Sequence, residues 1–437
     1  MINRLVFIRR MFSNILCILA LCLPMFRYYN LGSTGLAMET IMTLLMLAIC
    51  LIMFYMGMNH RHMVYTEIRK SQVWFGLLIF WLLLITCVYE IFTEVNVSNP
   101  KADYTSISLI MIVIRAVVIG YLLGGDFDYR DIFKIYSVLV TFIIAIYALQ
   151  WAMVAAGLRI SFQMPFLPLT NSYAYLTSSP YFGMDPDPTS LFSERAHFAE
   201  YLVPYIAVCL FGNGLVKKQA LLKAVIVSIV VLTTVSATGI VVVLIEWVLF
   251  FAGLGQKKSK FRFIYLVAGA LILVAVYYIL RQIPTVDAMF DRLFVDNTGN
   301  DYSSTKADYR IYRGFDLFTK LPLYGQIFGI GYNHMQLFAS IHNIVSEFDN
   351  DNLAYEFFST IFQIAIYSGC IGIVCAVKHI YHLFKSNSPL AKALIIIMLA
   401  MWCSSAMFLT NSHIVMVMLI IATIYYDNQP SEALNEN

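Results

Sequence analysis

The stretch ALLKAVIVSIVVLTTVSATGIVVVLIEWVLFFAGL, residues 220–254, indicates the class of fold to which this chain belongs. It consists of two apolar runs, 220–235 and 237–254, and each is about long enough to cross the hydrocarbon core of a bilayer as a helix. Between them, residues 233–239 form a small, hydroxyl-rich turn that can either donate hydrogen bonds or simply allow a tight hairpin. Because the two runs almost touch, the sequence leaves their separation open.

The whole chain has the same apolar character. Of its 437 residues, 60% are hydrophobic and 13% are charged, and its mean hydropathy is +0.74, which is far from the profile of a soluble domain. The eight cysteines lie in apolar runs, without a CxxC pair or a Cys/His cluster. We therefore expect neither a disulfide framework nor a metal site. The composition predicts an all-α polytopic integral membrane protein.

Counting apolar runs of about 17–25 residues predicts about 12 transmembrane helices. They lie at residues 12–29, 36–58, 73–92, 107–124, 133–156, 198–213, 220–235, 237–254, 262–281, 355–377, 391–409 and 411–426. The runs within 391–426 form a second tight hairpin whose separation is also open.

The positions of Lys and Arg predict the orientation of these helices, because cytoplasmic segments of membrane proteins carry an excess of both. With the N-terminus in the cytoplasm, the short outer loops carry almost none. The basic residues then fall on the cytoplasmic side: Arg61, Arg69, Lys70, Arg130, Lys134, Lys217, Lys218, Lys223, Lys257, Lys258, Lys260, Arg262, Lys378, Lys385 and Lys392. We expect both termini to be cytoplasmic, and the first apolar run to be a retained helix.

The predicted helices form a single membrane domain, 1–437, with two long outer loops, 157–197 and 281–354. Long connections in a compact protein are usually functional or disordered. The first is rich in proline and aromatic residues, which suits either stacking on sugar rings or an ordered interfacial loop. The polar tail, 427–437, is expected to be disordered and cytoplasmic.

The second outer loop contains a basic island, residues 305–331, TKADYRIYRGFDLFTKLPLYGQIFGIG. Read as a helix, it is amphipathic. One face carries Lys306, Arg310, Arg313 and Lys320, and the other carries Ile311, Phe315 and Phe318. Arginine presents a fork of donors that fits phosphate oxygens, so the island is a candidate pyrophosphate site. The alternative is an interfacial helix whose basic residues merely meet anionic headgroups.

Residues 190–207, SLFSERAHFAEYLVPYIA, place several polar side chains at the mouth of a predicted membrane helix. They are Glu194, Arg195, His197 and Glu200. Ionisable groups at that depth are costly unless they are paired or line a wet cavity, so each is a functional candidate. Glu194 and Arg195 could instead form a structural ion pair, and His197 could pack at the interface. Within the fourth predicted span, Arg115 is expected to pair with Glu246 rather than to reach a lipid phosphate.

Four motifs in order resemble the Wzy-type O-antigen and capsule polymerases of the O-antigen ligase-like superfamily. Residues 192–202 (FSERAHFAEYL) look like the family pattern F-x-E-P-[SA]-x-F-A-x-Y-L, and residues 232–239 (LTTVSATG) lie where relatives often have L-x-x-S-R-T-G. Residues 310–331 are similar to the family's arginine, proline and G-x-G pattern. Residues 351–372 are similar to the stretch from a polar pair to G-x-I-G.

The chain also departs from the family pattern. Arg195 replaces the usual proline, and Ala237 stands where relatives often have arginine. Relatives that act as ligases commonly carry His-Asn where this chain has Asp351 and Asn352, which favours a polymerase.

The resemblance implies a GT-C-like fold and inverting glycosyl transfer on the outer face of the bacterial inner membrane. The substrates would be two undecaprenyl-pyrophosphate-linked saccharides, a donor and an acceptor. The pyrophosphate would be bound by Arg195, Arg310 and Arg313. Three residues compete as the base that takes the acceptor's proton: Glu194, His197 and Asp351. Supporting roles would fall to Ser236, Thr238, Gly329, Gly331 and Asn352.

No cofactor or metal is expected, because arginines can supply the positive charge. Further expected partners are membrane lipid, a chain-length regulator and a flippase. Nucleic acid is not expected as a partner. The product stays open among O-antigen, capsule and exopolysaccharide. Two other functions also stay open: an O-antigen ligase-like transferase, and a transporter without chemistry. A transporter typically has two related halves, and the halves of this sequence look unlike each other.

Overall fold

The computed structural model of this protein describes residues 2–31, 37–56, 66–92, 105–124, 129–158, 167, 188–212, 215–216, 219–254, 278, 281–282, 307–346 and 358–427. Within these ranges the backbone forms helices and turns but no β-strand, and one isolated antiparallel bridge joins Asn30 to Ala37.

Most of the helices follow the apolar runs of the sequence, and three lie within the predicted second outer loop, residues 281–354. They are α1 (Ile2–Cys22), a short 3-10 helix η1 (Leu23–Phe26), α2 (Met38–Tyr55), α3 (Thr66–Phe92), α4 (Thr105–Gly124), α5 (Tyr129–Ala155), α6 (Arg195–Phe211), α7 (Ala220–Thr233), α8 (Ala237–Phe251), α9 (Ala307–Lys320), α10 (Leu323–Phe328), α11 (Met335–His342), α12 (Thr360–Phe384), α13 (Pro389–Ser404) and α14 (Asn411–Asp427).

The structure supports the membrane class of the chain. Five segments are long and apolar enough to cross a bilayer: Phe7–Phe26, Met38–Tyr55, Thr66–Ile91, Asp131–Ala155 and Thr360–Phe384. Shorter apolar helices coincide with most of the other predicted spans, while the predicted span 262–281 lies almost wholly outside the described residues. The all-α membrane class is therefore observed, and twelve crossings stay a prediction.

The structure separates the two hairpins that the sequence left open. The first is broken after Thr233, where Val235 adopts a positive φ of 55°. The hydroxyl of Ser236 then accepts a hydrogen bond from the Gly239 amide and caps α8. The second hairpin is broken at residues 405–410, between α13 and α14. Both turns use hydroxyl side chains to satisfy backbone groups that a helix would otherwise pair.

Helices α3 and α12 pack antiparallel and carry the second outer loop. Ser71 contacts His379 near one end of the pair, and the Trp81 indole donates to the carbonyl of Ser368 further along. At Gly369, α12 is kinked, with φ 64° and ψ −167°. The amide of Ile330 donates to the carbonyl of Ile366 there. The segment after α10 is thus attached to α12 by backbone hydrogen bonds.

Gly329 and Gly331 make this attachment possible. Both have a φ of +88°, a conformation that side chains with a Cβ rarely adopt. A Cβ at Gly329 would collide with the backbone of Tyr367, and one at Gly331 would lie 2.6 Å from the His334 ring. The glycines therefore bring the loop close to α12 and to its own next turn.

The ionic contacts that join α1 to α5 and α3 to α12 gather at one end of the bundle. Arg10 and Lys134 both bind Asp131, and Glu67 binds Lys70 and His382. The other end holds the C-terminus of α1, the N-termini of α2, α6, α12 and α14, and the C-terminus of α13. The candidate site lies at this second end.

Candidate functional site

Helix α9 directs Arg310 and Arg313 into the protein, whereas Lys320 is exposed. The Arg310 guanidinium donates to the carbonyl of Ser404 at 3.0 Å, and Arg313 is fully buried. On the opposite face, Ile311, Tyr312 and Phe315 are 37%, 58% and 58% exposed. The alternative in which these basic residues meet lipid headgroups does not describe Arg313, which has no exposed surface. Lys320 binds Asp316 at 3.0 Å, and Lys306 lies outside the described residues.

The start of α6 is clamped onto α5 by a reciprocal pair of hydrogen bonds. The Gln150 side chain donates to the Ser190 carbonyl at 2.8 Å and accepts from the Ser190 amide at 2.7 Å. Phe192 is buried, with its ring 5.5 Å from that of Phe198. This clamp fixes the point at which Glu194 begins the helix. The Glu194 side chain does not cap α6, so its carboxylate is directed elsewhere.

His197 contacts a cation that the sequence analysis did not select. Nη1 of Arg27 lies 3.1 Å from Nε2 of His197, and the hydroxyl of Ser193 lies 3.3 Å from Nδ1. The same guanidinium stands 4.6 Å above the Tyr28 ring. Arg27 lies inside the apolar run 12–29, so the rule that charges within such runs are functional candidates could have found it.

Glu200 links α6 to the turn after α13. It is 6% exposed and accepts a hydrogen bond from the Ser405 hydroxyl at 2.8 Å. The Ser405 carbonyl in turn accepts from the amide and the hydroxyl of Thr360, at the start of α12. Three helix ends therefore meet beside this carboxylate.

Burial raises the pKa of Glu194, which precedes α6. Arg27 and Arg310 both act on it in the opposite direction, and Glu200 acts in the same direction as burial. Two arginines and two carboxylates thus lie within electrostatic reach of one another. We call Arg27, Glu194, His197, Glu200 and Arg310 the polar cluster. It combines anion-binding donors with candidate bases at one end of the bundle.

The expected pairing of Arg115 with Glu246 is wrong. Arg115 donates to the Thr43 hydroxyl at 3.0 Å and to the Asn411 side-chain oxygen, and it lies 3.7 Å from Glu39. The sequence could not choose between the two carboxylates, because spacing along the chain does not reveal which helices are neighbours. Glu246 is fully buried in α8, and no described side chain donates a hydrogen bond to it.

The remaining predicted site residues do not belong to the polar cluster. Arg195 is the first residue of α6 and is half-buried. Ser236 caps α8, and Thr238, also half-buried, follows it. A Cβ at Gly239 would meet Ala199 at 2.9 Å, so this turn lies against the second turn of α6. Asp351 and Asn352 lie outside the described residues. Within the described part of the chain, no group of three or more metal-ligating side chains is placed to hold an ion.

Comparison with known proteins gives no match to a family model and no significant match to a curated protein.

Proposed function

We propose that this protein is a polysaccharide polymerase that joins undecaprenyl-pyrophosphate-linked repeat units at the outer face of the bacterial inner membrane. One observation carries the proposal: the polar cluster. Arg310 of the basic island donates to the carbonyl of Ser404, next to Ser405, whose hydroxyl binds Glu200 of the α6 motif, although the two segments are more than a hundred residues apart in the sequence. Glu194 and His197 lie within electrostatic reach of the same arginine. The resemblance of both segments to the Wzy-type polymerases supports the choice of reaction.

The charge distribution supports an outer location for the polar cluster. The end that carries Arg10, Lys70, Lys134 and Lys385 is rich in the residues that mark cytoplasmic segments. The polar cluster lies at the opposite end. Both termini would then be cytoplasmic, and the donor and acceptor glycans would be bound outside.

The cluster would lie below the membrane surface. Helices α7, α8, α13 and α14 have 14, 15, 16 and 17 residues, which corresponds to about 21–26 Å, less than the roughly 30 Å of the hydrocarbon core. The turns at 234–236 and 405–410 would therefore be recessed. Irregular backbone at that depth is tolerated only where it is buried in protein or lines a wet cavity. Such a position suits a pyrophosphate whose lipid tail stays in the bilayer.

The chemistry would need positioning and charge stabilisation more than a cofactor. The acceptor hydroxyl loses its proton to a base as its oxygen bonds to the anomeric carbon of the donor sugar. The bond from that carbon to the pyrophosphate oxygen breaks, and the lipid pyrophosphate leaves as an anion. Arg310 would bind that anion, with Arg195 and Arg313 as further predicted donors. Glu194, His197 and Asp351 are the candidate bases.

Replacing Arg310 tests the proposal. Arg310→Ala should reduce chain elongation by about a hundredfold or more, since it removes a donor from the developing charge. Arg310→Lys should restore little if a bidentate contact is needed. Gels of the cell-surface polysaccharide measure elongation, and Lys320→Ala, on the same helix and paired with Asp316, is the matched control. A normal ladder in Arg310→Ala at normal protein level would remove the proposal. Arg313→Ala is less decisive, because a fully buried arginine also contributes to folding.

Deleting the gene separates a polymerase from a ligase. Without a polymerase, single repeat units remain attached to their final acceptor. Without a ligase, long chains accumulate unattached to it. Unchanged polysaccharide would contradict both functions.

A further inference from the structure

The backbone that carries Arg27 is held in place from two sides. The side chain of Asn411 donates to the carbonyl of Leu23 at 3.2 Å and to Glu39 at 2.8 Å. After Arg27, the chain reverses through Tyr28, whose φ of 69° is uncommon for a residue with a side chain. The reversal is closed by a hydrogen bond from the Met38 amide to the carbonyl of Tyr29 at 2.8 Å. Arg27 thus stands on an anchored turn.

The contact between Arg27 and His197 determines which nitrogen of the ring carries the proton. Arginine has donors but no acceptor, so Nε2 of His197 must be the unprotonated nitrogen that accepts from Nη1 at 3.1 Å. The proton then lies on Nδ1, within 3.3 Å of the Ser193 hydroxyl, which can accept it. The imidazole is neutral in this arrangement, and its free electron pair is occupied by Arg27. Taking a proton from a sugar hydroxyl at Nε2 would require this contact to break.

Arg27 and Arg310 reach the polar cluster from different parts of the chain. Arg27, just after η1, contacts His197 at 3.1 Å. Arg310, on α9, donates to the carbonyl of Ser404, next to Ser405, whose hydroxyl binds Glu200. Both arginines act electrostatically on Glu194, His197 and Glu200. A diphosphate bound between them would meet donors from two sides, which a single arginine cannot provide. No described residue donates a hydrogen bond to the Glu194 carboxylate, which would remain available to the acceptor hydroxyl.

We infer that Arg27 is the second arginine of the pyrophosphate site, that His197 is a positioning residue which orients it through Nε2, and that Glu194 is the base. This inference rests on the proposed function and deepens it. In the transfer step, the proton of the acceptor hydroxyl moves to a carboxylate oxygen of Glu194. The departing pyrophosphate oxygen becomes an anion between Arg27 and Arg310. The ligand is recognised by its diphosphate, and the lipid tail contributes only its location.

Binding measurements on the full-length protein in nanodiscs test the inference without requiring turnover. The probe is undecaprenyl pyrophosphate, with undecaprenyl phosphate and phosphatidylglycerol as comparison lipids. Arg27→Ala should weaken binding of the pyrophosphate lipid by about tenfold to a hundredfold, the range for lost hydrogen bonds to a charged group. Arg27→Lys should recover part of the loss. Arg10→Ala, at the other end of α1, is the matched control and should bind like the unaltered protein.

Histidine variants test the positioning role. A glutamine at 197 retains an acceptor for Arg27, whereas an alanine does not. His197→Gln should therefore keep most of the binding and a substantial part of the elongation activity, and His197→Ala should lose both. Equal loss in the two variants would contradict the positioning role. So would activity in His197→Ala close to that of the unaltered protein.

The outcomes separate this inference from the proposed function. If the unaltered protein does not prefer the pyrophosphate lipid to phosphatidylglycerol, both fail. If Arg310→Ala loses binding while Arg27→Ala keeps it, only the role of Arg27 fails. If Arg27→Ala does not accumulate, Arg27→Lys decides, since it retains the charge and the side-chain volume. Full binding by Arg27→Lys, together with full elongation, would mean that no arginine fork is required at this position.

Discussion

At the residue scale, the structure gives different contacts to side chains that are neighbours in the sequence. Glu194 and His197 both lie at the start of α6, and each was a candidate base. His197 accepts from Arg27, whereas the Glu194 carboxylate makes no cap to its own helix. Arg115 illustrates the same point, because its carboxylate partner is Glu39 rather than Glu246. The sequence shows the chemical character of each residue, but it does not show which residue is its partner.

Replacing Glu194 should have opposite effects on activity and stability. Burial raises the pKa of this carboxyl, so the folded state disfavours its charged form relative to the unfolded state. Above the raised pKa, ionised Glu194 therefore costs stability; this cost shrinks as the pH falls below that pKa and is gone below the lower pKa of the unfolded state. Glu194→Gln should abolish elongation. At neutral pH, the unfolding temperature of this variant should equal or exceed that of the unaltered protein.

Thermal unfolding in detergent and polysaccharide gels measure the two effects of Glu194→Gln. In the unaltered protein, elongation should also decline as the pH falls through the raised pKa, because the base becomes protonated. Elongation in Glu194→Gln at the normal level would exclude Glu194 as the base. A marked fall in its unfolding temperature would show instead that the carboxylate stabilises the fold.

At the scale of the elements, α9 shows how tertiary packing selects a face. The helix is amphipathic in the sequence, and a surface helix usually buries its apolar face. Here the arginine face is buried and the aromatic face is exposed. In a membrane protein this orientation is favourable, since lipid can solvate Tyr312 and Phe315 while the protein supplies partners such as the Ser404 carbonyl for the arginine face. The periodicity predicted the two faces and gave no indication of which one faced inward.

The attachment of the second outer loop to α12 should depend on Gly329. Gly329→Ala would force a Cβ into the backbone of Tyr367 at a φ of +88°. We expect the free energy of unfolding to fall by about 1–3 kcal/mol or more from the conformation alone. Elongation should also fall, because the displaced segment follows α9, which carries Arg310. Gly76→Ala is the control, since nothing lies within 4 Å of the added Cβ and alanine favours a helix. Thermal unfolding of both variants checks the prediction, and equal unfolding temperatures would contradict it.

At the scale of the whole molecule, the two ends of the bundle carry different charged groups. One end carries ion pairs such as Arg10 with Asp131, and the other carries the polar cluster. We expect this polarity if the protein inserts, as membrane proteins generally do, with most of its Lys and Arg on the cytoplasmic side. The proposed function needs it, since lipid-linked glycans are joined outside.

Reporter fusions check this orientation. Alkaline phosphatase fused after Leu158, which begins the first outer loop, should be active, because that enzyme needs an oxidising compartment for its disulfides. A fluorescent protein that matures only in the cytoplasm should be fluorescent when fused after Asn437. The opposite pair of results would place the polar cluster inside the cell and contradict the proposed reaction.

The sequence by itself determined the membrane class, the positions of most helices and the candidates Arg310, Glu194 and His197. These features are local: an apolar run predicts a span from its length alone, and a group of charged side chains beside or between such runs is recognisable wherever it lies. The hairpins at 220–254 and 391–426 were less certain, because a turn made of hydroxyl and apolar residues hardly interrupts the hydropathy.

Only the tertiary structure decided which side chains meet. Arg27 and His197 are in contact although they are 170 residues apart in the sequence. Which face of α9 is buried depends on the helices that pack against it. Arg115 lies beside Glu39 rather than Glu246, which is on another helix. A polar group inside a membrane protein requires a hydrogen-bonding or ionic partner. The sequence shows that such a group is present, but it does not show which residue is the partner. The partner is set by which helix ends lie together, and the packing of the whole bundle determines that.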